Sequence, residues 1–175
     1  MNKKHDSINN NKHLPIYGPG PFIGGFMIIL TLIAVFLEKN DLIPKGQING
    51  SVKTTMTIIG AVLVVGGIAL WIYAVPVSKI DDGILHNRLV TTGAYAHVRN
   101  PIYSAIMIAC DGILLMTGNI YFLVLPLIFW VFMSIVLMHT EEVWLRKMFK
   151  QEYEEYCQSV NRCWPSLKRY RKKRS

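Results

Sequence analysis

Long apolar runs separated by short polar clusters set the layout of this chain. Residues 22–37, 56–77 and 119–138 contain no Asp, Glu, Lys or Arg, and residues 101–117 contain a single one, Asp111. A helix needs about 20 apolar residues to cross a bilayer, with about 17 as the short limit. By that measure 56–77 and 119–138 are long enough, and the other two runs are marginal. Four such runs in 175 residues leave too little polar chain to cover them as buried helices of a soluble protein. The pattern predicts an all-α integral membrane bundle of four transmembrane spans. It divides the chain into an N-terminal segment 1–21, the four-span bundle 22–138, an amphipathic segment 139–165, and a basic tail 166–175.

Four spans put both ends of the bundle on one side, and the basic residues say which. Lys3, Lys4 and Lys12, then Lys79, Arg88 and Arg99, then ten more from Arg146 to Arg174 fall on the side of the termini and the second loop; the other side has Lys39, Lys45 and Lys53. Sixteen against three, or ten against three without the last six, places the termini and the second loop in the cytosol. The first span is followed by Phe36-Leu37-Glu38-Lys39 rather than the small residues of a cleavage site, so it is expected to remain in place. Thr117-Gly118-Asn119 is short enough to demand a tight hairpin. The third and fourth spans are then antiparallel neighbours, and two polar clusters meet at their cytosolic ends: Arg99-Asn100-Pro101-Ile102-Tyr103 and His139-Thr140-Glu141-Glu142.

The first cluster is the lip of the third span. Asn is a favoured helix N-cap and Pro a favoured first helical residue, so Asn100-Pro101 marks a helix start. A helix start also offers unbonded N–H groups and a positive dipole end, suited to a carboxylate or phosphate. Tyr95 and Tyr103 read equally as interfacial aromatics or as site residues, and Arg99 as a snorkelling anchor or a site cation. Gly93 permits the tight turn that a close-lying cofactor requires. Glu141-Glu142 sits unfavourably if the fourth helix ends there, because a helix C-terminus is its negative pole; the penalty vanishes if the helix continues into Val143-Trp144-Leu145.

The run from Leu89 to Tyr103, with Leu89-Val90, Gly93, Tyr95, Arg99, Pro101 and Tyr103 in register, resembles the signature of the isoprenylcysteine carboxyl methyltransferase family. Glu141-Glu142, Leu145, Phe149, Tyr153, Tyr156, Arg162 and Pro165 are similar to its second block, and the chain is also similar to phospholipid methyltransferases. The resemblance covers residues 85–165 and implies an integral membrane enzyme that binds S-adenosylmethionine on its cytosolic side. It implies cofactor contacts from Asn87, Arg88, Leu89, Val90, Tyr95, Asn100, Pro101, Ile102, Tyr103 and Glu141, to which the turn at Gly93 is added; the catalytic candidates are Arg99, Asn100 and Glu142, with His139, beside the acidic pair, as a candidate base for a thiol or amine acceptor. Neither a metal nor a nucleic acid is implied. The expected partners are S-adenosylmethionine, the bilayer, and a lipid-like or small acceptor bearing a thiol, amine or carboxylate.

Three positions depart from the family pattern. Asn100 stands where histidine is usual, which removes a titratable ring. Lys150 stands where glycine is usual, a change that concerns a turn. Leu137, one helical turn before Glu141, occupies a position at which the eukaryotic prenylcysteine enzymes carry an arginine implicated in substrate binding; an apolar residue there points to a different acceptor.

Other features carry less. Asp111 belongs to no motif and reads either as a functional acid within a span or as a protonated, idle one. Cys110, Cys157 and Cys163 show neither disulfide nor metal spacing. Phe149, Tyr153, Tyr156 and Val160 recur at helical spacing, an amphipathic face for the membrane surface or for core packing. The run from Lys168 to Arg174 suits anionic lipid better than nucleic acid, for which no motif is present. Two alternatives remain beside the methyltransferase: a nicotinamide-dependent membrane reductase with a similar C-terminal cofactor region, and a non-catalytic protein of the same fold.

Overall fold

The computed structural model describes residues 20–44, 46–77 and 88–171, and in it each long apolar run forms a helix. Helix α1 is Gly20–Lys39, α2 is Gly50–Ile72, α3 is Pro101–Thr117, α4 is Leu125–His139 and α5 is Glu141–Ser159. Three of the apolar segments are long and apolar enough to cross a bilayer, Gly20–Lys39, Gly50–Val75 and Ile120–His139, and Pro101–Thr117 is a shorter apolar helix. The helices overrun the uncharged stretches. Lys53 lies in the first turns of α2, because a helix continues as long as its backbone bonds are satisfied, whatever the hydropathy of its end.

The hub is α3, with α1 and α2 packed on it and α4 beside it. The α2–α3 seam is made of small residues. A Cβ on Gly60 would lie 2.5 Å from the Gly112 carbonyl oxygen, one on Gly112 would lie 2.5 Å from that of Gly60, and one on Gly67 would lie 2.7 Å from that of Ala105. Lipid tails are as apolar as leucine, so helices in a bilayer associate through such close packing rather than through hydrophobic burial. On the other side of α3, Ile23 and Met27 of α1, Met107 and Leu114 of α3, and Phe129, Met133 and Leu137 of α4 form the buried core. The outward faces are apolar and bare, as at Val65 (67% exposed).

Two ends close the bundle. At the far end the α1–α2 connection pins the α3–α4 turn: the Ile48 N–H donates to Gly118 O at 2.8 Å and the Ile120 N–H to Gly46 O at 2.9 Å. Gly118 takes φ 70° as the α3 cap. The turn is not followed directly by an α-helix, as a span starting at 119 would have it. A 3-10 segment, Ile120–Val124, comes first, entered from Asn119, whose side chain accepts from the Tyr121 N–H at 3.1 Å.

At the near end the acidic pair is neither at the end of α4 nor in its continuation. Thr140 breaks the helix with φ −123° and ψ −92°, and a new helix, α5, starts at Glu141. Both acids therefore sit in a first turn, at a positive dipole end, where negative charge is favoured. Helix α5 is itself kinked at Lys150, whose φ of 45° and ψ of −121° are not helical. Past the kink, Tyr153, Tyr156 and Val160 pack with Leu89, Phe149 and Tyr170 as a second core, so this apolar stripe is covered by protein rather than laid bare. The chain then returns to the bundle. Cys163 is buried among the α3 and α4 residues, and Ser166 and Tyr170 donate backbone N–H bonds to His97 O and Ala96 O, both at 2.9 Å. Folded structure thus extends through Tyr170, into the segment read from sequence as a basic tail.

Candidate functional site

The lip of α3 and the start of α5 come together as the hairpin requires. The Tyr103 hydroxyl donates to Glu141 Oε1 at 2.6 Å. Gly20, the first residue of α1, sits over the same hydroxyl: a Cβ there would fall 2.5 Å from it. Burial pushes the Glu141 carboxyl above its ordinary value of 4.5; the Tyr103 bond pulls it back, and the neighbouring Glu142 charge pushes it further up. Among the described residues Glu141 has no ion-pair partner.

Glu142 is its opposite in environment. It is 1% exposed, and three guanidinium groups hold it: Arg162 through Nε at 2.5 Å and NH2 at 3.1 Å, Arg99 at 3.3 Å and Arg146 at 3.8 Å. Its hydrogen bonds hold the Arg162 guanidinium still further above its usual range. Arg99 also donates to Cys157 Sγ at 2.7 Å, and its backbone N–H to Asn161 O at 2.8 Å. This cluster ties the lip, both halves of α5 and the returning chain into one unit. Both oxygens of Glu142 accept from Arg162, and the surrounding guanidinium groups favour its charged form over a protonated one.

Asn100 occupies the N-cap position of α3, but its side chain does not cap the helix. Its Nδ2 donates instead to Arg162 O at 3.1 Å, drawn away by the returning chain. Pro101 contributes no N–H, and the first intrahelical bond runs from Ser104 N to Asn100 O at 3.0 Å. The N–H groups of Ile102 and Tyr103 are the remaining orphans of the first turn. Arg99 Nε is also buried and without a partner among the described residues.

The other sequence candidates divide. Gly93 opens a 3-10 turn, Gly93–Ala96, with φ 61°, the left-handed conformation expected of it. Tyr95 is buried, and its carbonyl accepts from the Tyr156 hydroxyl at 2.6 Å. Leu89 is half-buried against the tyrosine cluster, Val90 is half-buried, and Arg88 is exposed. Asn87 lies outside the described residues. His139 is not part of the cluster: it is exposed, and its Nδ1 bonds the Ile135 carbonyl of its own helix at 2.8 Å. Leu137 is 0% exposed and belongs to the bundle core, so no side chain at that position lines the lip. Asp111 is 7% exposed, its Oδ1 is unpartnered among the described residues, and it lies eight residues, about 12 Å of helix, from Tyr103.

The sequence pointed to Arg162 only as part of a motif, to Arg146 only as one of the basic residues and to Cys157 only as a thiol without disulfide or metal spacing, and it gave Gly20 no place at the lip. The signal for Arg162 was there, a lone arginine before Trp-Pro at the end of an acidic helix. Nothing in the sequence pairs Gly20 with a hydroxyl 83 positions away.

Comparison with known proteins gives two findings. Residues 55–152, more than half of the chain, match the phospholipid methyltransferase family. Two rice proteins, from Oryza sativa subsp. indica and subsp. japonica, each named a probable protein-S-isoprenylcysteine O-methyltransferase, are 37% identical to this chain over 76 residues. That stretch is 43% of this chain and 39% of each rice protein. No solved structure matches.

Proposed function

Given that the chain belongs to the phospholipid methyltransferase family, we propose that it is a membrane-embedded, S-adenosylmethionine-dependent methyltransferase with its site at the lip of α3, facing the cytosol. The observation that carries this reading is the pairing of unmatched groups around Tyr103. Helix geometry leaves the N–H groups of Ile102 and Tyr103 without intrahelical acceptors, and among the described residues the buried Arg99 Nε has no partner and the half-buried Glu141 carboxylate has no cation. Donors on one side and a carboxylate on the other are complementary to the zwitterion of an amino acid, which is what the methionine half of the donor presents.

The residues present thus fit the donor. The α3 start would take its carboxylate, as helix N-termini do, and Glu141, positioned by Tyr103, its ammonium or ribose hydroxyls. The bound sulfonium supplies an electrophilic methyl group. Methyl transfer from it asks for an in-line approach and for exclusion of water, for which effective molarities of about 10⁵ M or more are attainable. The protein's share is therefore positional. The Glu142 cluster holds the lip against α5, and the tyrosine core behind it keeps the wall dry. Glu142 is held among three arginines, and His139 stands exposed on α4 outside the cluster, so an acceptor proton leaves to water at the lip. A lipid-like acceptor would reach the lip from the bilayer and present its amine, thiol or carboxylate there. Leu137, buried in the core, offers an acceptor carboxylate no cation, which favours an amine or a thiol.

The test is titration of the detergent-purified protein with S-adenosylmethionine, wild type against Glu141→Gln and Tyr103→Phe. Loss of a charge-assisted bond predicts about tenfold or more weaker binding for Glu141→Gln. Unchanged affinity in both variants, or binding of a nicotinamide nucleotide instead, would end the assignment. Labelled methyl donor incubated with protein and membrane extract then identifies the acceptor through its labelled product.

A further inference from the structure

At the end of the bundle opposite the lip, α1, α2 and α3 enclose a cleft of about 500 Å³. It exists because α1 and α2 each pack on α3 rather than closing on one another. Its floor and inner wall are apolar, made by Val35 of α1 with Ile113 and Met116 of α3. Its rim is polar and carries two ammonium groups, Lys39 at the end of α1 and Lys53 near the start of α2, against one carboxylate, Glu38.

Glu38, Gln47 and Lys53 are linked along the rim. Gln47 donates to Glu38 and accepts from Lys53 Nζ at 3.3 Å, and Lys53 also donates to the Thr117 carbonyl in the last turn of α3. Two of the three Lys53 N–H donors are thereby used, and one is left. Lys39 has no hydrogen-bond or ion-pair partner among the described residues. Gln47 is neutral and leaves the Glu38 charge in place, so two ammonium groups against one carboxylate make the rim net positive by one charge. The exposed surface of the flanking helices is apolar, as at Leu32 and Phe36 of α1 and Ile59 of α2, and in a bilayer it meets acyl chains.

A net cationic rim above an apolar wall, on a surface facing lipid, complements the phosphate and the acyl chain of a phospholipid. We propose that this cleft binds one phospholipid of the leaflet opposite the lip, its phosphodiester against Lys39 and the free Lys53 N–H and an acyl chain along Val35, Ile113 and Met116. A free inorganic anion would leave the apolar wall bare, and a neutral lipid would leave the two ammonium groups unmatched. Binding there does not depend on the methyl-transfer reading, because the cleft shares no residue with the lip.

Native mass spectrometry of the detergent-purified chain with dimyristoyl-phosphatidylglycerol, and separately with dimyristoylglycerol, tests this. The wild type should retain one phosphatidylglycerol and no dimyristoylglycerol. Lys39→Gln should bind the phospholipid about fivefold more weakly, the effect of one lysine on an anionic surface group. Val35→Trp, which fills the cleft without touching the charges, should lose it as well. Lys53 is left unchanged because its bonds close the end of α3. Wild-type retention by both variants, or equal retention of the phosphate-free lipid, would overturn the proposal. Melting temperatures matching the wild type confirm that any loss is local.

Discussion

Lys150 offers the sharpest test of the fold's energetics. With φ 45° and ψ −121° it adopts a backbone conformation inside α5 that glycine reaches freely and a residue with a Cβ does not. A non-glycine residue held in such a region costs on the order of 1–3 kcal/mol. The lysine side chain is exposed and has no recorded partner among the described residues, so nothing it contributes would be lost with it. Against the relief stands the extra chain entropy that glycine loses on folding, about 0.5–1 kcal/mol. The net for Lys150→Gly is a stabilisation of about 1 kcal/mol, which for a chain of this size raises Tm by about 2–4 °C.

The structure tolerates the strain because of what the kink achieves. It turns the second half of α5 back so that the Tyr156 hydroxyl reaches the Tyr95 carbonyl at 2.6 Å, and Arg146 bridges the bend to Glu154 at 3.4 Å. The assay is thermal unfolding in detergent followed by tryptophan fluorescence, with Lys150→Ala as the control. Alanine keeps the Cβ and hence the strain, so it should melt with the wild type. A glycine variant no more stable than wild type, or an alanine variant equally stabilised, would refute the argument.

Four further outcomes follow from the same geometry. Glu142→Gln leaves Arg99 and Arg162 facing each other without a counter-charge and should cost about 3–5 kcal/mol, read as a large drop in Tm; a neutral result would deny the cluster its structural role. The Glu141 carboxyl titrates above its ordinary 4.5 in the folded chain, so the folded state holds its proton more tightly than the unfolded one. Ionised Glu141 therefore costs stability as pH rises above 4.5, and the wild type should gain on Glu141→Gln as pH falls. Donor affinity moves the other way: it should weaken on acidification before pH 4.5 is reached, and Glu141→Gln should abolish that dependence in titrations across pH. Asp111→Ala should leave S-adenosylmethionine affinity within about twofold, because about 12 Å of helix separates residue 111 from Tyr103; a larger loss would place the acid in the site after all.

Hydropathy and charge spacing are local properties that answer to the solvent, and they were enough to place the helices. The uncharged runs became α1 to α4, the short turn after Thr117 brought residues 103 and 141 together, and Gly93 took the left-handed conformation that its turn needed. What they could not specify was which polar group each side chain would choose. Asn100 has the sequence of an N-cap, yet it gives its amide to Arg162 O because the chain 62 positions later comes back to meet it. Glu141 and Glu142 are adjacent and alike in sequence. Among the described residues, the break at Thr140 and the return of Arg162 leave one of them bonded through its side chain only to a tyrosine hydroxyl and surround the other with three arginines. The centrality of α3, the fold of the C-terminal segment onto the 93–98 turn and the cleft between α1 and α2 all arise from packing between elements distant in the chain. Hydrogen-bond partners are selected by proximity in space, and in this protein only the assembled bundle supplies it.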